Sequence, residues 1–162
     1  MESIENVHPI SEADAAFGLS WLAYVRPVVV FGVLLWIASA VWFYAAEPFS
    51  LPVSLVITVV AVAMFIYQVL YLRSIVLYTN DDGVWCYAGI LPWKKGMVGV
   101  KWRDLEDAQF YTGFVSWAFN SYAIRIGHRF TKTSEIFLRH VRAGRAAVEH
   151  INQIHQGKLK SE

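Results

Sequence analysis

Cysteine is all but absent from this chain: Cys86 is the only one, so no intrachain disulfide and no cysteine-rich zinc site can form. Charge is equally scarce in the first half. Residues 1–72 hold one base, Arg26, against five acids, Glu2, Glu5, Glu12, Asp14 and Glu47, while residues 73–162 hold the other thirteen Lys/Arg against eight acids, a balance of about +5. The N-terminus has no positively charged n-region, and its first long apolar run exceeds a signal-peptide core, which predicts an anchor that stays attached. Catalytic signatures are missing too. There is no HExxH, no glycine-lysine phosphate loop, no GxGxxG and no GxSxG elbow. His8, His128, His140, His150 and His155 have no metal-like spacing, and Cys86 between Trp85 and Tyr87 reads as a small buried hydrophobe. The residues therefore predict no enzyme, no catalytic centre, no metal, no cofactor and no small-molecule substrate.

What is abundant is apolar and aromatic surface: 56% of residues are hydrophobic, with 7 Trp and a mean hydropathy of +0.40, a balance suited to touching both lipid and water. From Pro27 to Ala46 and again from Leu51 to Leu72 the chain carries no charge. Each run of about 20 residues spans roughly 30 Å as helix, matching a bilayer core. Only Glu47, Pro48, Phe49 and Ser50 join them, so the two helices must be antiparallel neighbours. Pro27 and Pro52 fall in first turns, where the missing N–H would lack a partner anyway. Arg26 and Arg73 flank the pair and the link has no base, so the positive-inside rule puts both termini in the cytoplasm. Trp21 and Tyr24 stand opposite Tyr67 and Tyr71 at that interface. Apart from Glu47 the hairpin holds no ionisable residue, and Ser39, Ser54, Thr58 and Gln68 read as helix-packing groups, which suits an anchor better than a transport path.

Ahead of the hairpin, Ser11 three residues before Asp14 resembles a capping box, and Phe17, Trp21 and Val25 recur at four-residue spacing. That stripe predicts an amphipathic interfacial helix over 11–25; continuation of the first span is the alternative. After Arg73 short β-branched and aromatic stretches alternate with turn residues. They predict strands over 74–80, 84–90, 97–102, 105–112, 121–127 and 134–139, with Gly83 supplying a positive φ at the first turn. A closing helix over 141–155 follows, its apolar face being Val141, Val148, Ile151 and Ile154, with Gly144 weakening it locally and a frayed tail from Gly157. The boundaries drawn are 1–26 for the N-terminal segment, 27–72 for the hairpin, 73–157 for the β-domain and 158–162 for the polar tail.

Six or seven antiparallel strands in a partly open barrel or sandwich, capped by a C-terminal helix, resemble the pleckstrin-homology (PH) fold, and the whole plan resembles the bacterial PH-domain membrane proteins. The resemblance covers about residues 27–155. It is carried by Leu72-Arg73-Ser74, Tyr78-Thr79, Asp82-Gly83-Val84, Gly89-Ile90, Val100 to Leu105, Trp117 to Tyr122 and the closing helix. It implies a multi-pass protein of the bacterial inner membrane whose hairpin holds a PH-like domain at the cytoplasmic face.

Phosphoinositide-binding PH domains place bases at the first hairpin, but here that turn is Asn80-Asp81-Asp82-Gly83, and its two carboxylates would repel phosphate. Bases lie instead at Lys94 and Lys95 beside Trp93, and at Arg129 and Lys132 near His128; facing a bilayer they would attract anionic head groups, while a solvated positive surface explains them equally. The run from Phe110 to Phe119 is the densest aromatic segment of the domain, and Phe114, Trp117 and Phe119 are the candidates for docking on the membrane or a partner. Arg139, Arg142 and Arg145 form a thin basic edge, too thin for nucleic acid. The expectation is a non-enzymatic anchored interaction module, an accessory, scaffold or assembly subunit with the bilayer and a membrane protein or its own copy as partners. A peripheral sensor of anionic lipid is the alternative.

Overall fold

Long apolar stretches without polar periodicity form helices whose backbone groups are satisfied internally, and two of these dominate the computed structural model, which describes residues 14–44, 48–91, 96–130 and 135–161. α1 (Val25–Tyr44) and α2 (Ser50–Ser74) are both long and apolar enough to cross a membrane. They pack on each other through small residues, Ala38, Ser54 and Ala61, and through stacked Phe31 and Phe65 with ring centres 4.7 Å apart. Their other faces, among them Trp36, Phe43, Val59 and Ile66, are exposed. The hydroxyls of Ser39, Ser54 and Thr58 donate to carbonyls three or four residues back in their own helices, so these side chains are satisfied without a partner helix.

Seven antiparallel strands are described. β1 (Ala15–Gly18), β2 (Val76–Thr79), β3 (Gly83–Ala88) and β4 (Gly96–Lys101) form one sheet in that order. β5 (Leu105–Tyr111), β6 (Ser121–His128) and β7 (Ile136–Arg142) form the other, and a short helix α3 (Phe114–Ala118) bridges β5 and β6. A Leu19–Val141 bridge joins β1 to β7, so the two sheets meet along one side. α4 (Gly144–Ser161) lies across β5 and β6. Alternating inward residues Leu77, Val84, Val100, Leu105, Ile124, Ile126 and Val141, with Val148 and Ile151 of α4, make one core. Each such side chain contributes about 1.5–3 kcal/mol on burial.

Within the described part of 11–25, which begins at Asp14, the first strand replaces the expected helix. Ala15 and Phe17 alternate inward, pair with Thr79 and Leu77 of β2, and Phe17 packs on the core and on the His150 ring. A strand buried on one side gains a ladder and a core contact that a lone interfacial turn lacks, and among the described residues ahead of α1 helical backbone is confined to the 3-10 turn Trp21–Tyr24. The hairpin α1–α2 is thus inserted between two neighbouring strands of one sheet.

Three smaller expectations also change. Gly83 does not adopt a positive φ; it is needed because a Cβ there would run into the Val100 carbonyl, and the turn is held by Asn80, whose Oδ1 accepts from the N–H groups of Asp82 and Gly83 and from Trp85 Nε1. Val141 belongs to β7, and the closing helix starts at Gly144 after Ala143 takes a φ of 51°. Gly144 meets Tyr122 and Ile124 at that first turn, where a side chain would crowd the sheet. The helix also continues through Gly157 to Ser161, with Lys158 Nζ donating to the Asp81 carbonyl at 2.6 Å and lying 5.9 Å from the Trp102 ring centre.

Candidate functional site

The strands run lengthwise between two ends of unlike chemistry. At the hairpin end lie Leu19 and Ser20 leading into α1, Ser74 and Ile75 leaving α2, the closing pair Ala88–Gly96, and α3. Ser74 Oγ accepts from the Gly89 N–H at 3.1 Å, which ties the β3 exit to the last turn of α2. At the far end lie the Asn80–Gly83 turn, Arg103, Asp104, Arg129 and the C-terminal part of α4.

α3 is short and buries none of its residues; its turn is closed by local backbone bonds, Trp117 N–H to the Gly113 carbonyl and Phe119 N–H to that of Val115. The aromatic side chains of α3 and of Phe119 just after it stand clear of the core: Phe114 is 82% exposed, Trp117 72% and Phe119 48%. Phe119 meets the edge of Trp21 with ring centres 5.2 Å apart, which brings this cluster to the base of α1. The three aromatics singled out from sequence are therefore together, and their surface adjoins the apolar hairpin. Phe110 of the same run packs instead against the core and Tyr122.

Between α3 and α1 is a groove of about 570 Å³. One wall is Trp21, Leu22, Val25, Val29 and Val30; the other is Val115 and Phe119. Its only charged or titratable lining groups are Arg26 and His140. His140 sits where β7 breaks register with β6, with a φ of 59°, and its carbonyl accepts the Ser20 N–H at 2.6 Å. That bond locks the groove floor to the start of the hairpin.

Charge is mixed at the far end, where Asp14, whose N–H donates to Thr79, and Asp81, Asp82, Asp104, Glu106 and Asp107 lie together with Lys101, Arg103, Arg129 and Lys158. Arg26, Arg73, Arg139 and Arg142 gather toward the hairpin end, and there Glu149 is engaged by Arg145 at 2.8 Å. Arg139 and Arg142 are on β7, so they do not form the helical edge expected with Arg145. Arg129 is exposed but stands beyond the far end of β6, roughly 25 Å along the strand from α3. It does not share a surface with Phe114, Trp117 and Phe119. Trp93, Lys94, Lys95 and Lys132 lie outside the described residues, as does His8.

The first turn has no base of its own, and Asp81, although exposed, has Lys158 Nζ 4.0 Å from its carboxylate. Among the described residues no group of three His, Cys, Asp or Glu side chains could hold a metal ion. Burial pushes the Cys86 thiol above its ordinary range and does the same to the Tyr78 hydroxyl, which donates to the Met97 sulfur at 3.1 Å. Both shifts favour the neutral, unreactive form.

The sequence singles out Phe114, Trp117 and Phe119 but neither the helix that carries the first two nor the groove; the hint to the groove is Trp21, an aromatic one turn before the span, whose partner is Phe119. Comparisons with family models, with curated proteins and with solved structures find no match to this chain.

Proposed function

We propose that this chain is a membrane-anchored interaction module of the bacterial inner membrane, non-enzymatic, with a PH-like cytoplasmic domain serving as an accessory, scaffold or assembly subunit. The observation that carries the reading is the insertion of α1–α2 between β1 and β2. A flexible tether would let the domain rotate freely. Two adjacent strands clamped to the two ends of one hairpin restrict it to a fixed attitude, with α3 on the side of the anchor. Helices that are apolar all round yet hardly buried within the chain need an apolar medium outside it, which a bilayer supplies. Four strands plus three strands plus a C-terminal helix are compatible with a PH-like domain, and the flanking Arg26 and Arg73 favour cytoplasmic termini.

Phe114 and Trp117 are the contact surface in this reading, because aromatic side chains left in water beside a membrane anchor are stabilised by docking on lipid or on another protein. The test is the double variant F114A/W117A of the full chain, compared with the native chain for carbonate resistance, thermal unfolding and the neighbours crosslinked in native membranes. The expected result is an integral, equally stable protein that loses its crosslinked neighbour. An unchanged crosslinking pattern would remove α3 as the contact, and a large loss of stability would make the two residues structural.

A further inference from the structure

α3 stands level with the start of the first span rather than clear of it. Its Val115, and Phe119 just after it, share the groove with Val29 and Val30, which lie about 5–6 Å of helix beyond Arg26. Those two valines already belong to the charge-free run that begins at Pro27. Trp21, Leu22 and Val25 extend the apolar wall to the β-domain side of Arg26, so apolar surface passes from α1 across to α3 on both sides of that residue. The position of α3 is fixed twice, by the Trp21–Phe119 edge contact and by the Asn120 carbonyl, which accepts the Ala143 N–H at 3.2 Å. From Ala108 to Ile124 the chain has no charged side chain.

We infer that α3 is a second membrane contact of this chain: Phe114, Val115 and Trp117 seat in the interfacial layer of the leaflet facing the β-domain, beside the base of α1. The inference rests on the membrane-anchored reading above and commits α3 to lipid rather than to protein. Two observations select lipid. The first is continuity, since exposed apolar surface runs from Val29 and Val25 of α1 through Trp21 to Phe119, Trp117 and Phe114, and a bilayer around α1 therefore reaches α3. The second is extent: three aromatic side chains of about 150–250 Å² each, only partly exposed, offer less than the roughly 800 Å² per partner of a stable protein interface, whereas Trp at a membrane interface anchors singly. No charge on α3 takes part, so the contact does not depend on anionic head groups. With α1, α2 and α3 all seated, the β-domain touches the leaflet at three points and cannot pivot about the hairpin. A protein partner of the module then meets another face of the domain, held at the height that α3 sets.

The test uses the full chain in phosphatidylcholine vesicles, with one added cysteine per variant carrying an environment-sensitive fluorophore. Cys86 stays, because its buried thiol does not take the label, and the chain without an added cysteine is the blank. Phe114→Cys and Trp117→Cys probe α3, Trp36→Cys the exposed middle of α1, and Arg103→Cys the far end of the β-domain; all four side chains are exposed, so the label leaves the core alone. The expected result is that lipids with a nitroxide near the head of the acyl chain quench the labels at 114 and 117, and that these labels emit further to the blue and lose less emission to aqueous iodide than the label at 103. Iodide quenching at 114 and 117 equal to that at 103 overturns the inference. Protection from iodide without quenching by the nitroxide lipid, the signature of a protein or a second copy covering α3, overturns it as well. The label at 36 separates the two levels. Lipid quenching there with none at 114 and 117 overturns this inference alone, whereas no lipid quenching at 36 overturns the anchored reading and this one with it.

Discussion

The side-chain amide of Asn152 pairs with the backbone of Ala108 in both directions, donating Nδ2–H to its carbonyl at 3.0 Å and accepting its N–H on Oδ1 at 3.2 Å. Ala108 is buried, and it follows the irregularity where β5 loses register with β6 between Leu105 and Ala108. One residue of α4 thus does for the edge of β5 what another strand would otherwise do, and it sets the height at which the helix crosses the sheet.

Replacing Asn152 should therefore cost more than an ordinary helix position. Asn152→Ala leaves two buried backbone groups unpaired, at about 1–3 kcal/mol each before water compensates. A loss of about 2–3 kcal/mol is expected, seen as a lower thermal midpoint of the full chain in detergent. Asn152→Asp keeps an acceptor but turns a carboxylate oxygen toward the Ala108 carbonyl, and should be no better than alanine. A midpoint for Asn152→Ala within a degree of the native chain would refute the pairing.

Gly99 makes a second, independent case. A Cβ at this position would enter the Trp85 ring, which lies flat over the glycine on the paired strand, while Trp85 Nε1 is held by Asn80 at 2.9 Å. Gly99→Ala must push the indole off that bond and is expected to destabilise by about 1–3 kcal/mol, the usual cost of overpacking. Trp85→Leu in the same chain removes the obstacle. Adding Gly99→Ala to Trp85→Leu should then cost much less than adding it to the native chain, and equal costs in the two backgrounds would refute the contact.

His155 predicts a pH dependence. Burial first, and the positive charge of Arg129 second, hold its imidazole below the ordinary value of 6.5. Its Nε2 is buried without a hydrogen-bond partner among the described residues. Because the unfolded chain binds the proton more readily, stability contributed by the neutral ring is fully present above pH of about 6.5 and is lost as pH falls from there toward the folded value. Unfolding curves between about pH 5 and 8 should show this decline in the native chain, and a shallower one in His155→Gln. Identical slopes for the two proteins would mean that another group governs the acid side.

Local pattern was enough for much of this architecture. Unbroken apolar length specifies α1 and α2 whatever surrounds them, since a helix satisfies its own backbone and needs no distant partner. The strands from Val76 onward announce themselves by β-branched and aromatic residues between turn formers, and the exposure of Phe114 and Trp117 follows from more aromatics than one small core can take. Other features rest on partners far away in the chain. Ala15–Gly18 is too short to choose helix or strand alone; pairing with β2, about 60 residues on and across the whole hairpin, makes it a strand. The groove exists because Trp21 meets Phe119, nearly a hundred residues apart, and because the His140 carbonyl takes the Ser20 N–H and so brings β7 to the start of the hairpin. Side-chain chemistry and local period can be read along the chain, but which surfaces face each other depends on long-range pairing, and in this protein the candidate site is such a meeting of surfaces.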